Sequence, residues 1–399
     1  MLKQYSNGLS LFIFTIVLLV VSGCKGVAVP KSQTVIVPEK VAGRTPAATQ
    51  TQKTVIGNQL GGARQGVTLG LKNSVITIAG LVGTAGSTDG GDFVATFDAP
   101  KGVTTDGASL FLADSNNHTI RKIDIATGVV ATLAGAAGKK GGHDGIGSAA
   151  RFNRPFGMTT DGKNLYVTDS NNHTVRQIDI DTGTVITLAG KVGEVGYVDG
   201  KGKRARFFIP EGITVYGSNL YVSDTHNHAI RKISLNNHTV TTIAGLSGAP
   251  GFFDDVGSKA RFFYPKGITT DGHFLYVADF GNNQIRKIAI KGADVHTLSG
   301  TVTNEANAEE QTEAARFNYP SGITTDGRNL YVADTVNRLI RKIVISSGAV
   351  TTVAGAEEKE ESVDGVGMDA HFRDPVGITT DGYSLFVTDS SDHVVRKIR

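Results

Sequence analysis

The chain has 399 residues, 19% charged and 40% hydrophobic, with a formal net charge of +3. That is ample apolar material for the core of one or two domains, and the charge balance is too mild to imply a nucleic-acid partner. Fifty glycines and no tryptophan, with no collagen-like period of three, point to a chain of many turns.

The N-terminus stands apart. Lys3 precedes an apolar run from Leu11 to Val21, followed by Ser22, Gly23 and Cys24. The run is short for a membrane span and fits the core of a signal peptide. Cys24 is the only cysteine, so it has no disulfide partner within the chain. "VSGC" resembles the bacterial lipoprotein box, which implies a signal peptide over 1–23 and a lipidated Cys24. A plain signal peptide or an N-terminal anchor are the other readings. Lys25 rather than Asp follows, so in a cell with two membranes the outer one is expected. Residues 24–72, rich in Thr, Gln, Val, Ala and Lys, read as a flexible tether.

From residue 73 to 399 the sequence repeats. Asp114, Asp169, Asp224, Asp279, Asp334 and Asp389 fall 55 apart, and so do Arg121, Arg176, Arg231, Arg286, Arg341 and Arg396. A fixed period of this size signals a solenoid, an array or a propeller. The second unit parses into strands over 156–160, 164–169, 174–180 and 184–190, separated by Asp161-Gly162, by Ser-Asn-Asn-His and by Asp181-Thr182-Gly183. Asp-Gly and Thr-Gly are hairpin signals. Apolar residues on both faces of the middle strands (Leu165, Tyr166, Val167) suit a sheet covered on each side. The last unit stops after its third strand, and an orphan "VITIAG" (75–80) precedes the first. Pairing the two would remove an open edge. The expected fold is all-β: a six-bladed β-propeller of four-stranded antiparallel blades, closed by 75–80 on the last unit.

The pattern "P-x-G-I-T-T-D-G…L-Y-V-x-D-S-x-N-x-x-I-R-K-I…T-x-A-G" over 75–399 resembles the NHL repeat. That resemblance implies a binding platform. It also leaves open an enzyme, because peptidyl-amidating lyases and lactonase-like proteins have similar blades. None of their metal-site residues can be matched here.

One active site does not need six copies of a residue, so the Asp–Arg pairs are expected to clamp the hairpin they bracket. The Asn117, Asn172, Asn227, Asn282 and Asn337 series suits a turn, and the Phe97 to Phe372 series suits packing between blades. His118, His173, His228 and His393 share one turn position. They read first as solvent-facing turn residues. Zinc would need ligands within about 2.0–2.2 Å, which neighbouring blades offer only at the central channel. The Asp-Gly steps of the long loops, such as Asp144-Gly145, read as turns before calcium sites. No cofactor is required by the sequence.

Recognition is then expected where the copies differ, in the long fourth-to-first-strand loops, placed on the rim of the Ser-Asn-Asn-His turns. Lys139, Lys140, Lys201 and Lys203 mark a basic arc facing an acidic arc of Glu309, Glu310, Glu357 and Glu358. Between them lie aromatic residues, of which Phe252, Phe253, Tyr264 and Phe280 are candidate anchors. The leading expectation is a lipid-anchored extracytoplasmic scaffold binding an envelope protein or polymer. The alternative is a metal-dependent lyase or lactonase-like enzyme at the channel.

Overall fold

The computed structural model describes residues 68–91, 93–301, 316–357 and 359–399. All belong to one of the two compact units into which the chain divides, Val55–Arg399. The signal segment, Cys24 and the tether up to residue 67 lie outside the described residues, as do Glu309, Glu310 and Glu358.

Six antiparallel sheets form, one per repeat. In blade 2 the strands run Pro155–Thr160, Asn164–Asp169, Thr174–Asp179 and Thr184–Gly190, from the innermost outward. The other blades repeat this order, with inner strands at Pro100–Thr105, Ile213–Tyr216, Pro265–Thr270, Pro320–Thr325 and Pro375–Thr380. The second-to-third-strand turns, such as Ser170–Asn172, define an upper rim. The first-to-second-strand hairpins, such as the one at Asp161-Gly162, and the third-to-fourth-strand hairpins of blades 1 to 5 define a lower rim.

The apolar middle strands are buried because each blade packs on the next. Phe111, Ala113 and Ile120 of blade 1 share a cluster with Phe152, Leu165 and Val167 of blade 2. Val103 and Leu110 of blade 1 meet Phe386 and Val395 of blade 6, which completes the ring. The orphan strand, Ser74–Ala79, becomes the fourth strand of blade 6, with Val75 opposite Ile398 and Thr77 opposite Arg396. Leu69 is buried in the cluster between blades 5 and 6, and its N–H donates to Asp326 Oδ2 at 3.2 Å on the lower rim. The described chain therefore enters the disc from that rim.

The long loops depart from expectation. They start on the upper rim, where the N–H of Gly138 donates to the Asn117 carbonyl and that of Gly193 to Asn172. They then run down the perimeter. Gly145–Ile146, Gly200–Lys201 and Gly365–Val366 pair as short fifth strands with the outer strands of blades 2, 3 and 6. An unpaired outer edge is a liability, and the loops cover it. Lys201 consequently sits opposite Thr239, next to the lower-rim hairpin, and Lys203 follows in a single 3-10 turn. Only Lys139 and Lys140 of the expected basic arc remain beside the upper turns. Among the described residues no helix is long and apolar enough to cross a membrane.

Candidate functional site

The repeated ionic residues form structural clamps. Arg231 of blade 3 shows the pattern: its Nη1 reaches Asp224 Oδ2 at 2.6 Å and the Arg206 carbonyl at 3.1 Å. Its Nη2 reaches Asp199 Oδ1 at 2.7 Å and the Val198 carbonyl at 3.0 Å, and the guanidinium lies 5.1 Å from the Phe207 ring centroid. Arg121, Arg176 and Arg286 repeat the same contacts with Asp114, Asp169 and Asp279. In blade 6 the Arg396–Asp389 distance opens to 3.7 Å, and in blade 5 Arg341 lies 3.3 Å from Asp334. The inner carboxylates also accept from the loop backbone and from the turn Asn, as Asp224 does from Phe208 N and Asn227 Nδ2. Burial pushes the carboxyls of Asp114, Asp169, Asp224, Asp279 and Asp334 up to about 6 against the pull of these donors.

Among the described residues five clamps have a second carboxylate, which escaped the sequence reading. Asp89, Asp144, Asp199 and Asp364, which belong to the Asp-Gly steps read above as turns, and Asp254, which is followed by Asp255, pair with the arginines from the perimeter side. They also bind the outer strand, as Asp199 does through Thr242 N and Oγ1. Each lies 32 residues before its Arg, and that constant offset was the available signal.

The turn histidines are not solvent-facing, which corrects the expectation. His118, His173, His228 and His393 adopt a left-handed backbone, with φ between 54° and 60°. Each Nδ1 accepts a backbone N–H from the following blade: Arg154, Ile209, Tyr264 and Ala99 respectively, at 3.0–3.2 Å. In blade 4, Asn283 Oδ1 takes the same bond from Tyr319 N at 2.8 Å. The imidazoles are thus inter-blade latches in blades 1, 2, 3 and 6, with Asn283 in their place in blade 4. Among the described residues no three His, Cys, Asp or Glu gather as a metal site.

Acting as an acceptor at Nδ1 requires a neutral imidazole with its proton on Nε2. Burial lowers the pKa values of His118, His173 and His228 accordingly; Arg154 and Lys140 add to the shift at His118, and His226 adds to it at the other two. The unfolded chain, with ordinary values near about 6.5, binds the extra protons. These groups therefore contribute fully above that pH, and their contribution is lost as pH falls below it. A His118→Asn/His173→Asn/His228→Asn variant, which keeps an acceptor at each latch as Asn283 does, should match the parent near pH 7.5 and exceed it at pH 5 in urea unfolding. Parallel pH profiles for the two proteins would refute the latch.

The candidate aromatic anchors divide. Phe252 and Phe253 stack with centroids 5.4 Å apart and are 48% and 63% exposed, in the loop next to Asn282 on the upper rim. Tyr264 packs against His226 and His228 at 5.0 and 4.7 Å, and Phe280 against Tyr319 at 4.7 Å. Glu357 of the acidic arc gives its carbonyl to Arg338, whose Nη2 also pairs with Glu360 at 3.1 Å.

Variation between copies also lies inside the repeat, a position the sequence reading passed over. Each inner strand is approached through Pro-x-Gly, where x is Lys101, Phe156, Glu211, Lys266, Ser321 or Val376. The glycine is dictated by packing: a Cβ on Gly212 would lie 1.9 Å from the Lys266 carbonyl oxygen, and on Gly157 2.0 Å from that of Glu211. The same approach recurs at Gly102, Gly267, Gly322 and Gly377 at 2.1–2.3 Å, so the inner strands nearly close the channel. The x side chains, with no such constraint, surround its upper mouth. Two adjoining cavities open there. One of about 360 Å³ is lined by Lys101, Phe156, Lys266, Phe280, Tyr319 and Asp374. The other, of about 220 Å³, is lined by Lys101, Arg154, Phe156, Ile209, Glu211 and His226. Lys101 lies 3.7 Å from Asp374 and Lys266 3.5 Å from Glu211. Burial, first, and the nearby cations Lys266 and Arg154 hold the Lys101 ammonium below its ordinary pKa, against Asp374 and Glu211. The only free letter in "P-x-G" was the signal for this site.

No protein-family model matches the chain. It is 29% identical over 318 residues to NHL repeat-containing protein 2 of Homo sapiens, covering 70% of this chain and 43% of that protein. The chain thus spans less than half the length of that relative. Among solved structures, a structural genomics protein of unknown function from Bacteroides thetaiotaomicron superposes with a TM-score of 0.62 at 21% identity, over 82% of this chain and 75% of the other. An auxiliary nutrient binding protein from the same organism superposes with 0.60 at 16% identity, over 82% and 76%. These likenesses speak to the fold. With six tandem repeats of the motif, one blade for each and a relative that carries NHL repeats, the chain belongs to the NHL-repeat β-propellers.

Proposed function

We propose that this propeller is a lipid-anchored, extracytoplasmic binding protein that engages its ligand on the upper rim. The carrying observation is the ring of unlike side chains, Lys101, Phe156, Glu211, Lys266, Ser321 and Val376, around one mouth of an otherwise repetitive disc. The chain enters the disc from the lower rim, at Leu69 beside Asp326. The apolar segment before Cys24 supports the anchor. Two fold neighbours, from Bacteroides thetaiotaomicron and Bacteroides ovatus, are auxiliary nutrient binding proteins, which is in keeping with a binding role.

A Cys24→Ser variant tests the anchor: the protein should move from the membrane fraction to the soluble one, and an unchanged distribution rejects it. The exposed Phe252–Phe253 pair is assigned to a macromolecular partner on the same rim. A Phe252→Ser/Phe253→Ser variant should keep its melting temperature and lose its cross-linked partner in the native envelope. Full retention of that partner removes the pair from the interface.

A further inference from the structure

We infer that the channel mouth binds an acidic saccharide, a ring-shaped ligand carrying both hydroxyls and a carboxylate. The inference rests on the reading of the mouth as a ligand site and names its chemistry. Three kinds of group converge there.

The first is uncommitted positive charge. Arg154 uses its backbone N–H on His118, but its guanidinium makes no ion pair or hydrogen bond among the described residues. It lines the same cavity as Lys101, whose pairing with Asp374 at 3.7 Å is too long for a good hydrogen bond. A forked guanidinium beside an ammonium fits a carboxylate. The second is unsatisfied acceptor capacity. Glu211 Oε2 is buried with no hydrogen-bond partner and lies 3.5 Å from Lys266 Nζ, and Asp374 is the other carboxylate at the mouth. Asp374 already accepts from Ser391 Oγ at 3.2 Å, but Glu211 Oε2 still needs a donor, which a hydroxyl supplies and a purely apolar acid does not. The third is a set of ring faces. Phe156, Phe280 and Tyr319 line the larger cavity, and Tyr319 is 40% exposed. The C–H face of a sugar ring can lie on such a surface while its rim hydrogen-bonds.

A peptide held by main-chain pairing does not fit. The inner strands approach one another so closely, with the Gly212 Cβ position 1.9 Å from a neighbouring carbonyl oxygen, that no further strand can add at the channel.

The test uses an array of uronate-bearing, sialate-bearing and neutral oligosaccharides, followed by calorimetry. Retention is expected for acidic members. The best of them should bind about tenfold more weakly to Arg154→Met and to Lys101→Met, as expected for losing a hydrogen bond to a charged group. Tyr319→Ala should weaken it also, and Phe252→Ser/Phe253→Ser should not. The affinity should fall as salt rises. Retention of neutral members alone, benzoate binding as tightly as the best saccharide, or no retained saccharide would each overturn the inference. A photo-reactive group at position 156 separates it from the broader reading. Capture of an envelope protein there, with no saccharide retained, would leave a binding propeller and end the saccharide assignment.

Discussion

An Arg231→Met variant is expected to lose about 3–5 kcal/mol of stability, because removing one partner leaves buried charge uncompensated. Asp224 would keep its bonds from Phe208 N and Asn227 Nδ2 but lose the 2.6 Å contact to the guanidinium. The carbonyls of Arg206 and Val198 would lose their donor, and Asp199 would lose its hold on the third strand. Methionine can still lie along the Phe207 ring, so the loss reports the polar clamp rather than a cavity. Arg231→Lys should fall between the two proteins. It keeps the charge, but it cannot reach both carboxylates and both carbonyls with one fork. Urea unfolding of the three proteins measures this. A loss below about 1 kcal/mol for the methionine variant, the range of an exposed ion pair, would mean that the clamp is ornamental.

The second large effect is expected at the channel. Gly212→Ala places a methyl group 1.9 Å from the Lys266 carbonyl oxygen and 2.9 Å from its carbon. Both are backbone atoms of the next blade, so no side chain can swing aside. The inner strands of blades 3 and 4 must part, at a cost near the upper end of overpacking, about 3 kcal/mol. The same substitution at Gly91, where a Cβ meets nothing within 4 Å, provides the control and should be close to neutral. Equal effects at the two sites would show that the ring is not held by this approach. Binding offers a second readout. A parted mouth should also loosen whatever Glu211 and Lys266 hold, since they flank Gly212 and Gly267.

The repeat made the blades legible. Asp-Gly turns and runs such as Leu165, Tyr166 and Val167 depend on neighbours in sequence and on a sheet covered on both faces, and the structure adds little to them. The three-stranded last unit and the orphan strand likewise announced closure, which the pairing of Val75 with Ile398 realises. The role of His173 was not legible, because its partner Ile209 N belongs to the next blade, 36 residues away. Nor was the perimeter course of Gly200–Lys201, which answers the open edge of an outer strand rather than any local preference.

Sequence alone determined the number of blades, their strands and the way the ring is sealed, because those follow from turn chemistry and from a period counted in residues. Tertiary structure decided which variable positions converge. Lys101, Phe156, Glu211 and Lys266 are a repeat length apart in the chain, yet they meet at one mouth because six inner strands point at a common axis. Lys201 and Lys203 vary just as freely but were carried to the perimeter, where their loop pairs with an edge. Convergence is a property of the closed ring, and no single repeat contains it.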